Sequence, residues 1–573
     1  MACNTSVGSD PNDAFERLLK EQYEARQSLS PVSLSIGGDL SRNGEWPDMS
    51  LEAKQSERDL WRQQRDQLLA LEKPRLSSAN QLNLELAVYD LEDRMAEYDI
   101  GGFLLPLTMR EGPQTAYDLI EYLNFSSEQD YRDWISRLTT LPNYLDQHID
   151  LMREGIRRGV VQPRVVMDRV STQLAALQVE DPTQSAFYKP FEDMDFVAED
   201  DLKADLQAAA QEAIANRVLP AYAEFATFFN EEYLVACREE VGVGATDWGR
   251  SYYEYLVRHF TTTDKTPQEI HHIGLSEVER IRAEMESIRQ EVGFDGDLSE
   301  FFIHLRTDPQ FFYDTPEELF EAYLATSKRL DPELVNLFGR LPRTPYGVRA
   351  IPDAIAPDTT IAYYMPPAED GSRAGYYYVN LYKPETRPIW GIEVLSVHEA
   401  VPGHHLQISL AMERAELPAF RRSMGVGAYV EGWGLYSERL GYDMGLYQDP
   451  YSRFGQLAYD MWRSVRLVVD TGMHYMGWTR DEAIEYFKSN SPKSELDIVN
   501  EIDRYIGWPG QALGYKIGQL KILELRERAE AQLGDKFDIR EFHDQLLSTG
   551  AVPLSVVETE LNAWIEEKLI EGV

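Results

Sequence analysis

Apolar residues recur at three-and-four spacing through most of the chain, with Glu, Asp, Arg and Gln between them, over residues 52–71, 79–98, 128–158, 165–177 and 198–230. This period puts the apolar positions on one face of a helix, so each stretch is predicted to be an amphipathic helix. The punctuation agrees. Thr266-Pro267-Gln268-Glu269 supplies a Thr N-cap, Pro at the first helical position and Glu three residues past the cap, and Thr479 to Glu482 repeats the box without the proline. Residues 1–50 read as a polar lead with one short helix over 13–27 and a loop of Gly, Ser and Pro. With no fixed-period repeat, low-complexity tract or long linker, residues 51–573 are expected to form one large helical body. The pattern breaks once, where Pro342, Pro345, Pro352, Pro357, Pro366 and Pro367 interrupt any helix. Two β-type runs, 360–365 and 375–382, flank a loop containing Asp370-Gly371 and predict a β-hairpin. The predicted fold class is therefore mostly α with one small hairpin.

Charge narrows the function. With 97 acidic against 56 basic side chains the chain carries −41 at pH 7. A nucleic-acid backbone or an anionic membrane is held by clustered Lys and Arg, so this field excludes nucleic acid as the expected partner. At 43% hydrophobic the chain can bury a core and is no disordered acidic tail. No apolar run approaches the ~18 residues of a membrane span, and the first residues lack a basic and apolar leader. As written, the chain reads as soluble and cytoplasmic. Cys3, followed by a short polar tether, offers the alternative of a periplasmic or surface lipoprotein whose signal has been removed. Cys3 and Cys237 are the only cysteines, so any metal here is held by His and carboxylate.

The chemistry gathers just after the hairpin. A helix opening at Thr386-Arg387-Pro388 carries His398, Glu399, His404 and His405 in an otherwise apolar stretch, which holds three of the ten histidines. A His followed directly by Glu, with more His one or two turns on, is the arrangement zinc hydrolases use. The spacing departs from H-E-x-x-H, because Pro402 occupies the i+4 position. On an ideal helix His405 returns to within about 20° of His398 while His404 lies about 120° away. Pro402 and Gly403, however, predict a bulge that could bring His404 to the i+4 place, so the residues alone leave both open. The next helix offers Glu431 as a third ligand, with Glu438 seven residues on along the same face. Gly432 and Gly434 sit in its interior, at a cost of about 1 kcal/mol each, and point to a group passing close by. Two His and one Glu leave a fourth position for water, so one catalytic Zn2+ per chain is expected.

Further on, Arg463, Arg466, Asp470 and His474 form one polar stripe at i, i+3, i+7 and i+11. The stripe reads either as a self-satisfied network, with Asp470 paired to His474 or Arg466, or as substrate machinery. In the second reading His474 donates to an oxyanion and the arginines anchor a substrate carboxylate. A Pro/Gly turn at residues 503–516 enters a helix and could place Gln511 and the Tyr515 hydroxyl at a pocket.

The strings HEAVPGHHLQ, EGWGLYSE and YIGWPGQALGYKIG, together with TPQEIHHIGLSEVERI and GSRAGYYYVNLY, resemble the bacterial domain-of-unknown-function family 885 over most of the chain. That family in turn resembles the Taq-type zinc carboxypeptidases and, more distantly, thimet oligopeptidase and angiotensin-converting enzyme. The resemblance implies a helical fold around a deep channel, with a hairpin able to hold an extended peptide by strand addition. It places Tyr378 and Asn380 of the hairpin at the substrate, His398, His404 and Glu431 on zinc, and Glu399 as general base. The choice of His404 over His405 comes from this resemblance.

The expected activity is a zinc-dependent hydrolysis of amide bonds in short peptides, of carboxypeptidase or oligopeptidase type, with Glu399 assisting attack by a zinc-bound water and His474 or Tyr515 steadying the oxyanion. A catalytically silent helical binding protein is the alternative, as is a metal hydrolase of a non-peptide amide or ester. A carboxylate-bridged di-iron site at Glu269-Ile270-His271-His272 lacks the second Glu-x-x-His it needs, and that segment reads as a surface helix start.

Overall fold

The computed structural model describes residues 10–352, 356, 360–368 and 373–570; Cys3, Pro357 and the Asp370-Gly371 loop lie outside them. The chain is mostly helical, with one three-stranded sheet. It divides into two compact units, Met1–Val241 with Thr246–Tyr252, and Gly242–Ala245 with Tyr253–Val573.

In the first unit the periodic stretches become the helices Leu51–Leu69, Ser78–Ile100, Glu128–Arg158 and Arg164–Ala176, and the helix of the lead is Pro11–Gln27. The Glu128–Arg158 helix starts at a Ser127/Asp130 capping box and stops at Gly159, whose left-handed backbone ends the helix without a Cβ penalty. The stretch expected as one helix over 198–230 is instead Asp200–Ala213 and Leu219–Phe228, separated by the π turn Ile214–Val218. Pro220 follows that turn, and its missing N–H is one reason the regular ladder gives way there. Trp134, Phe187, Phe191, Tyr222 and Phe225 form the aromatic centre of this unit, where the Trp134 indole donates to the Phe187 carbonyl at 3.0 Å.

The second unit is built on the helices Pro267–Glu291, Gly427–Asp443, Pro450–His474 and Gly514–Leu533. Pro267–Glu291 begins at the Thr266/Glu269 capping box read from sequence, so Glu269 is spent on the helix start. Three of these helices share a buried charge cluster. Lys516 Nζ lies 2.6 Å from Asp460 and 2.8 Å from Glu277, and Arg280 reaches Asp460 at 3.0 Å. Such a cluster roughly breaks even against its desolvation, but separating its members would strand a buried charge, so it opposes sliding of the three helices.

The sheet carries the expected hairpin. Strand β2 (Ala362–Met365) runs antiparallel to β3 (Gly375–Val379) with Tyr363 opposite Tyr378. A third strand, β1 (Tyr346–Ala350), pairs parallel to β3 on its other side and was not expected, because its five residues include Gly347 and lie between Pro345 and Pro352. Along β3, Gly375, Tyr377 and Val379 are buried while Tyr376 and Tyr378 are half-buried on the opposite face.

Candidate metal centre

The helix Ile392–Glu399 places His398 and Glu399 in its last turn and then stops. Ala400 leaves helical geometry (φ −95°, ψ −106°), the Val401–Pro402 peptide is cis, and Gly403 (φ −71°, ψ −129°) leads into the helix His404–Met412. A Cβ on Gly403 would stand 1.9 Å from the His398 carbonyl oxygen, so only glycine fits this crossing. The break is tied back by Gly403 N–H donating to the Val397 carbonyl at 2.9 Å and His405 N–H to Ala400 at 3.1 Å. The bulge expected from Pro402 and Gly403 is thus a full interruption between two helices. It brings the His404 ring to 4.7 Å from that of His398, nearly perpendicular to it.

His405 turns to the sheet instead. Its Nε2 lies 3.1 Å from the Thr344 carbonyl, and its Nδ1 lies 2.9 Å from the Tyr364 hydroxyl and 3.3 Å from Ser409 Oγ. A carbonyl can only accept, which assigns the ring proton to Nε2 and lets Tyr364 donate to Nδ1. Burial pushes this imidazole down to about 4, so it stays neutral and docks β1 and β2 onto the helix.

Glu431 comes from Gly427–Asp443. Its Oε2 is 3.7 Å from His398 Nε2 and 3.5 Å from His404 Nε2, and one ligand atom from each residue lies within 4.8 Å of the other two. Gly432 and Gly434 of this helix mark close approaches. A Cβ on Gly434 would meet the His398 ring at 2.9 Å, and one on Gly432 would meet Gly518 Cα at 2.6 Å. Glu438, fully buried one face-repeat further along, accepts from His398 Nδ1 at 2.9 Å and so turns Nε2 toward Glu431. Burial alone would push His398 down, but the bonds to Glu431 and Glu438 outweigh it and raise the imidazole to about 9. Burial likewise opposes the Glu431 charge, and the two imidazoles reverse that and hold its carboxyl well below the usual range.

This donor set fits zinc. Tetrahedral Zn2+ with bonds of about 2.0–2.1 Å has ligand atoms about 3.3–3.4 Å apart, close to the observed carboxylate–imidazole separations. A carboxylate on the outward nitrogen of a ligating His is the usual support for such a ligand. Glu399 is half-buried beside His398, and its carboxylate makes no hydrogen bond or ion pair with a described residue.

The polar stripe on Pro450–His474 divides between fold and site. His474 is buried with both ring nitrogens on backbone: Val243 N–H donates to Nδ1 at 3.1 Å, and Nε2–H donates to the Tyr505 carbonyl at 2.9 Å. It has no ring proton left for an oxyanion, which corrects the role expected from its place in the stripe. Asp470 pairs with neither His474 nor Arg466. It accepts from the Tyr253 hydroxyl at 2.6 Å and from Gly510 N–H at 3.1 Å, and burial pushes it up to about 7. Arg463 lies 3.5 Å from Glu438, while Arg466 lies 3.2 Å from Glu501 and stacks 4.4 Å from the Tyr515 ring centre. Burial and the nearby Glu431 charge push the Tyr515 hydroxyl up, which keeps it protonated beside the triad. Gln511 accepts from Arg504 at 2.7 Å at the rim of the same cluster.

On the hairpin, Tyr378 stacks on Tyr363 with ring centres 4.9 Å apart and remains half-buried. Asn380 departs from the substrate role expected of it. Its amide donates to the Ala356 and Thr360 carbonyls at 2.7 and 3.1 Å and its oxygen accepts from Tyr382 N–H at 3.0 Å, so its polar atoms close the sheet's own turn. Lys493, Trp462, Glu501 and Tyr505 complete the cluster around Arg466. Sequence reasoning missed them because a single Lys between two helices and an aromatic on a helix carry no periodic signal of their own.

A family model described as a bacterial protein of unknown function, DUF885, matches residues 31–561. A search of curated proteins finds no match. Among solved structures, the chain is similar to a candidate lipoprotein from Colwellia psychrerythraea, with 30% identity and a TM-score of 0.91 over 97% of this chain and 100% of that one. It is also similar to a candidate lipoprotein of unknown function from Shewanella oneidensis, with 17% identity and a TM-score of 0.75 over 95% and 99% of the two chains. A candidate oligoendopeptidase F from Bacillus anthracis aligns at 11% identity over 89% and 96% with a TM-score of 0.26, a value that carries no argument.

Proposed function

We propose that this chain, which belongs to the DUF885 family, is a zinc-dependent hydrolase of amide bonds in short peptides. The observation that carries the reading is the convergence of His398 Nε2, His404 Nε2 and Glu431 Oε2, with the uncommitted carboxylate of Glu399 next in sequence to the first of them. Zinc held by these three residues would keep a fourth position open, where it would acidify water and polarise an amide carbonyl. Glu399, next in sequence to His398, would take a proton from the attacking water and pass it to the leaving nitrogen. Glu438 holds the His398 ring in the orientation the site needs. Tyr515, protonated and close to Glu431, is the hydroxyl left to steady the developing oxyanion. The Colwellia relative and Cys3 together support a chain tethered to a membrane surface through a lipid on that cysteine.

The test is a mixed peptide library read by mass spectrometry, with metal content measured on the same samples. Zinc-loaded protein is expected to shorten a subset of peptides, and Glu399→Gln to lose at least about 100-fold in rate while retaining its zinc. A protein with one zinc per chain that leaves every peptide intact, or a fully active Glu399→Gln, would overturn the reading and favour a silent binding protein.

A further inference from the structure

Next to the triad, through Glu438, lies a group of cations that the proposed chemistry does not use. Arg463 contacts Glu438 at 3.5 Å and stacks 4.6 Å from the Trp462 ring centre. Arg466 covers the other rings, 4.5 Å from Trp462 and 4.4 Å from Tyr515. Lys493 Nζ stands 3.6 Å from the Trp462 ring centre, and Arg504 stacks on Tyr505 at 4.7 Å.

Four cations meet three acids here, Glu438, Glu501 and, facing Lys493, Asp497. Among the described residues, Glu438 pairs with Arg463, and Glu501 serves both Arg466 at 3.2 Å and Arg504 at 3.0 Å. Glu438 is shared again with His398. Arg463 Nε and Arg466 Nη1 are buried without an acceptor, on side chains only 5% exposed, and Lys493 Nζ makes no hydrogen bond or ion pair with a described residue. Burial, joined by the neighbouring Arg463 and Arg466 charges, pushes the Lys493 ammonium down to about 8 against the opposing pull of Asp497 and Glu501. Aromatic faces attract a cation by about 0.5–2 kcal/mol but do not neutralise it. In a chain carrying −41, a ring-lined cluster with more cations than acids and two buried arginine N–H groups unmet is a place kept for an anion.

We infer that Lys493, Arg463 and Arg466, walled by Trp462 and Tyr515, form a subsite that binds a carboxylate of the peptide substrate. The inference rests on the reading of His398, His404 and Glu431 as a hydrolytic site, since it is the shared Glu438 and the neighbouring Tyr515 that bring the subsite to it. The carboxylate has two possible sources, the chain terminus or an acidic side chain. A terminal source makes the protein an exopeptidase working from the C-terminus, and a side-chain source makes it selective for acidic residues.

The test is calorimetric binding to the full chain, zinc-loaded and carrying Glu399→Gln to stop turnover. Three probes separate the sources: N-acetyl-Ala-Ala-Phe with a free terminus, its C-terminal amide, and N-acetyl-Ala-Ala-Glu amide. One carboxylate-bearing probe is expected to bind at least about tenfold tighter than the neutral amide, and which one names the source. Lys493→Met, on a loop between helices, is expected to abolish most of that preference in a protein that still holds its zinc. Equal binding of all three probes, no binding of any, or a preference that survives Lys493→Met would overturn the subsite. Carboxylate preference in a zinc-loaded wild type that cleaves nothing would defeat the hydrolase reading alone, and equal cleavage of acid and amide forms would defeat the subsite alone.

Discussion

Replacing Gly434 by alanine adds one methyl group to the interior of the helix that bears Glu431, and elsewhere such a change would stabilise a helix by about 1 kcal/mol. Here the new Cβ would stand 2.9 Å from Cε1 and 3.0 Å from Nε2 of His398. Ordinary contacts between such atoms begin near about 3.5 Å, so the ring or the helix must give by roughly half an ångström. The ring has no free direction to take, because Glu438 holds Nδ1 at 2.9 Å and Glu431 faces Nε2 at 3.7 Å. Overpacking of this kind costs about 1–3 kcal/mol, which cancels or exceeds the helix-propensity gain. The larger effect falls on the metal: a misdirected ligand ring lowers affinity about 10–100-fold, or about 1.4–2.7 kcal/mol. The assay is zinc affinity by competition with a chelating dye, with thermal melts of the zinc-loaded and zinc-free forms. Gly427→Ala, in open space on the same helix, is the control and should bind zinc normally. A Gly434→Ala protein with wild-type zinc affinity and a melting temperature at or above that of the control would refute the placement of His398 against this helix.

Three further outcomes are expected. Elemental analysis should find zinc lost in His404→Ala but kept in His405→Ala, which instead melts lower by the equivalent of about 1–3 kcal/mol as the Thr344 carbonyl and Tyr364 hydroxyl lose their partner; the reverse pattern would exchange the two roles. His474→Ala should lose a similar stability, because Val243 N–H and the Tyr505 carbonyl are left unpaired, with zinc content unchanged; a variant as stable as wild type would return His474 to the site. Asp470, pushed up to about 7, holds a proton in the fold that the unfolded chain releases near pH 4. Its contribution is therefore full below about pH 4 and is lost as pH rises to about 7, by up to about 4 kcal/mol. Denaturation curves should show Asp470→Asn gaining on wild type across that window, and parallel curves would contradict the burial argument.

The long helices of the first unit could be read from their period because each buries one continuous stripe, and Glu128–Arg158 matches its predicted limits. The π turn at Ile214–Val218 could not, since a single extra residue in one turn changes no hydrophobic pattern over so short a span. In the candidate metal site the residue types were readable and their meeting was not. Ideal-helix geometry favours His405, and it is the four-residue break before His404 that reverses the choice. Glu438 was visible only as a second acid on the face of Glu431. That it orients His398 depends on a tertiary contact between residues 40 apart. His474 shows the opposite failure: its spacing suggested a site, but its partners are the backbone of Val243 and Tyr505, which no pattern in the chain announces.

The crossing of Gly432 and Gly518 bears on how the site can move. A Cβ on Gly518 would lie 1.9 Å from the Ala428 carbonyl oxygen, so the Gly427–Asp443 and Gly514–Leu533 helices touch backbone to backbone with no layer of side chains between them. Side chains accommodate small displacements by changing rotamer, whereas two main chains in contact have nothing to rearrange. The crossing therefore acts as a rigid stop one residue from Glu431. Thermal breathing of the site is left to the His404 segment beyond the helix break and to side-chain rotation, and a metal entering or leaving would travel by that side.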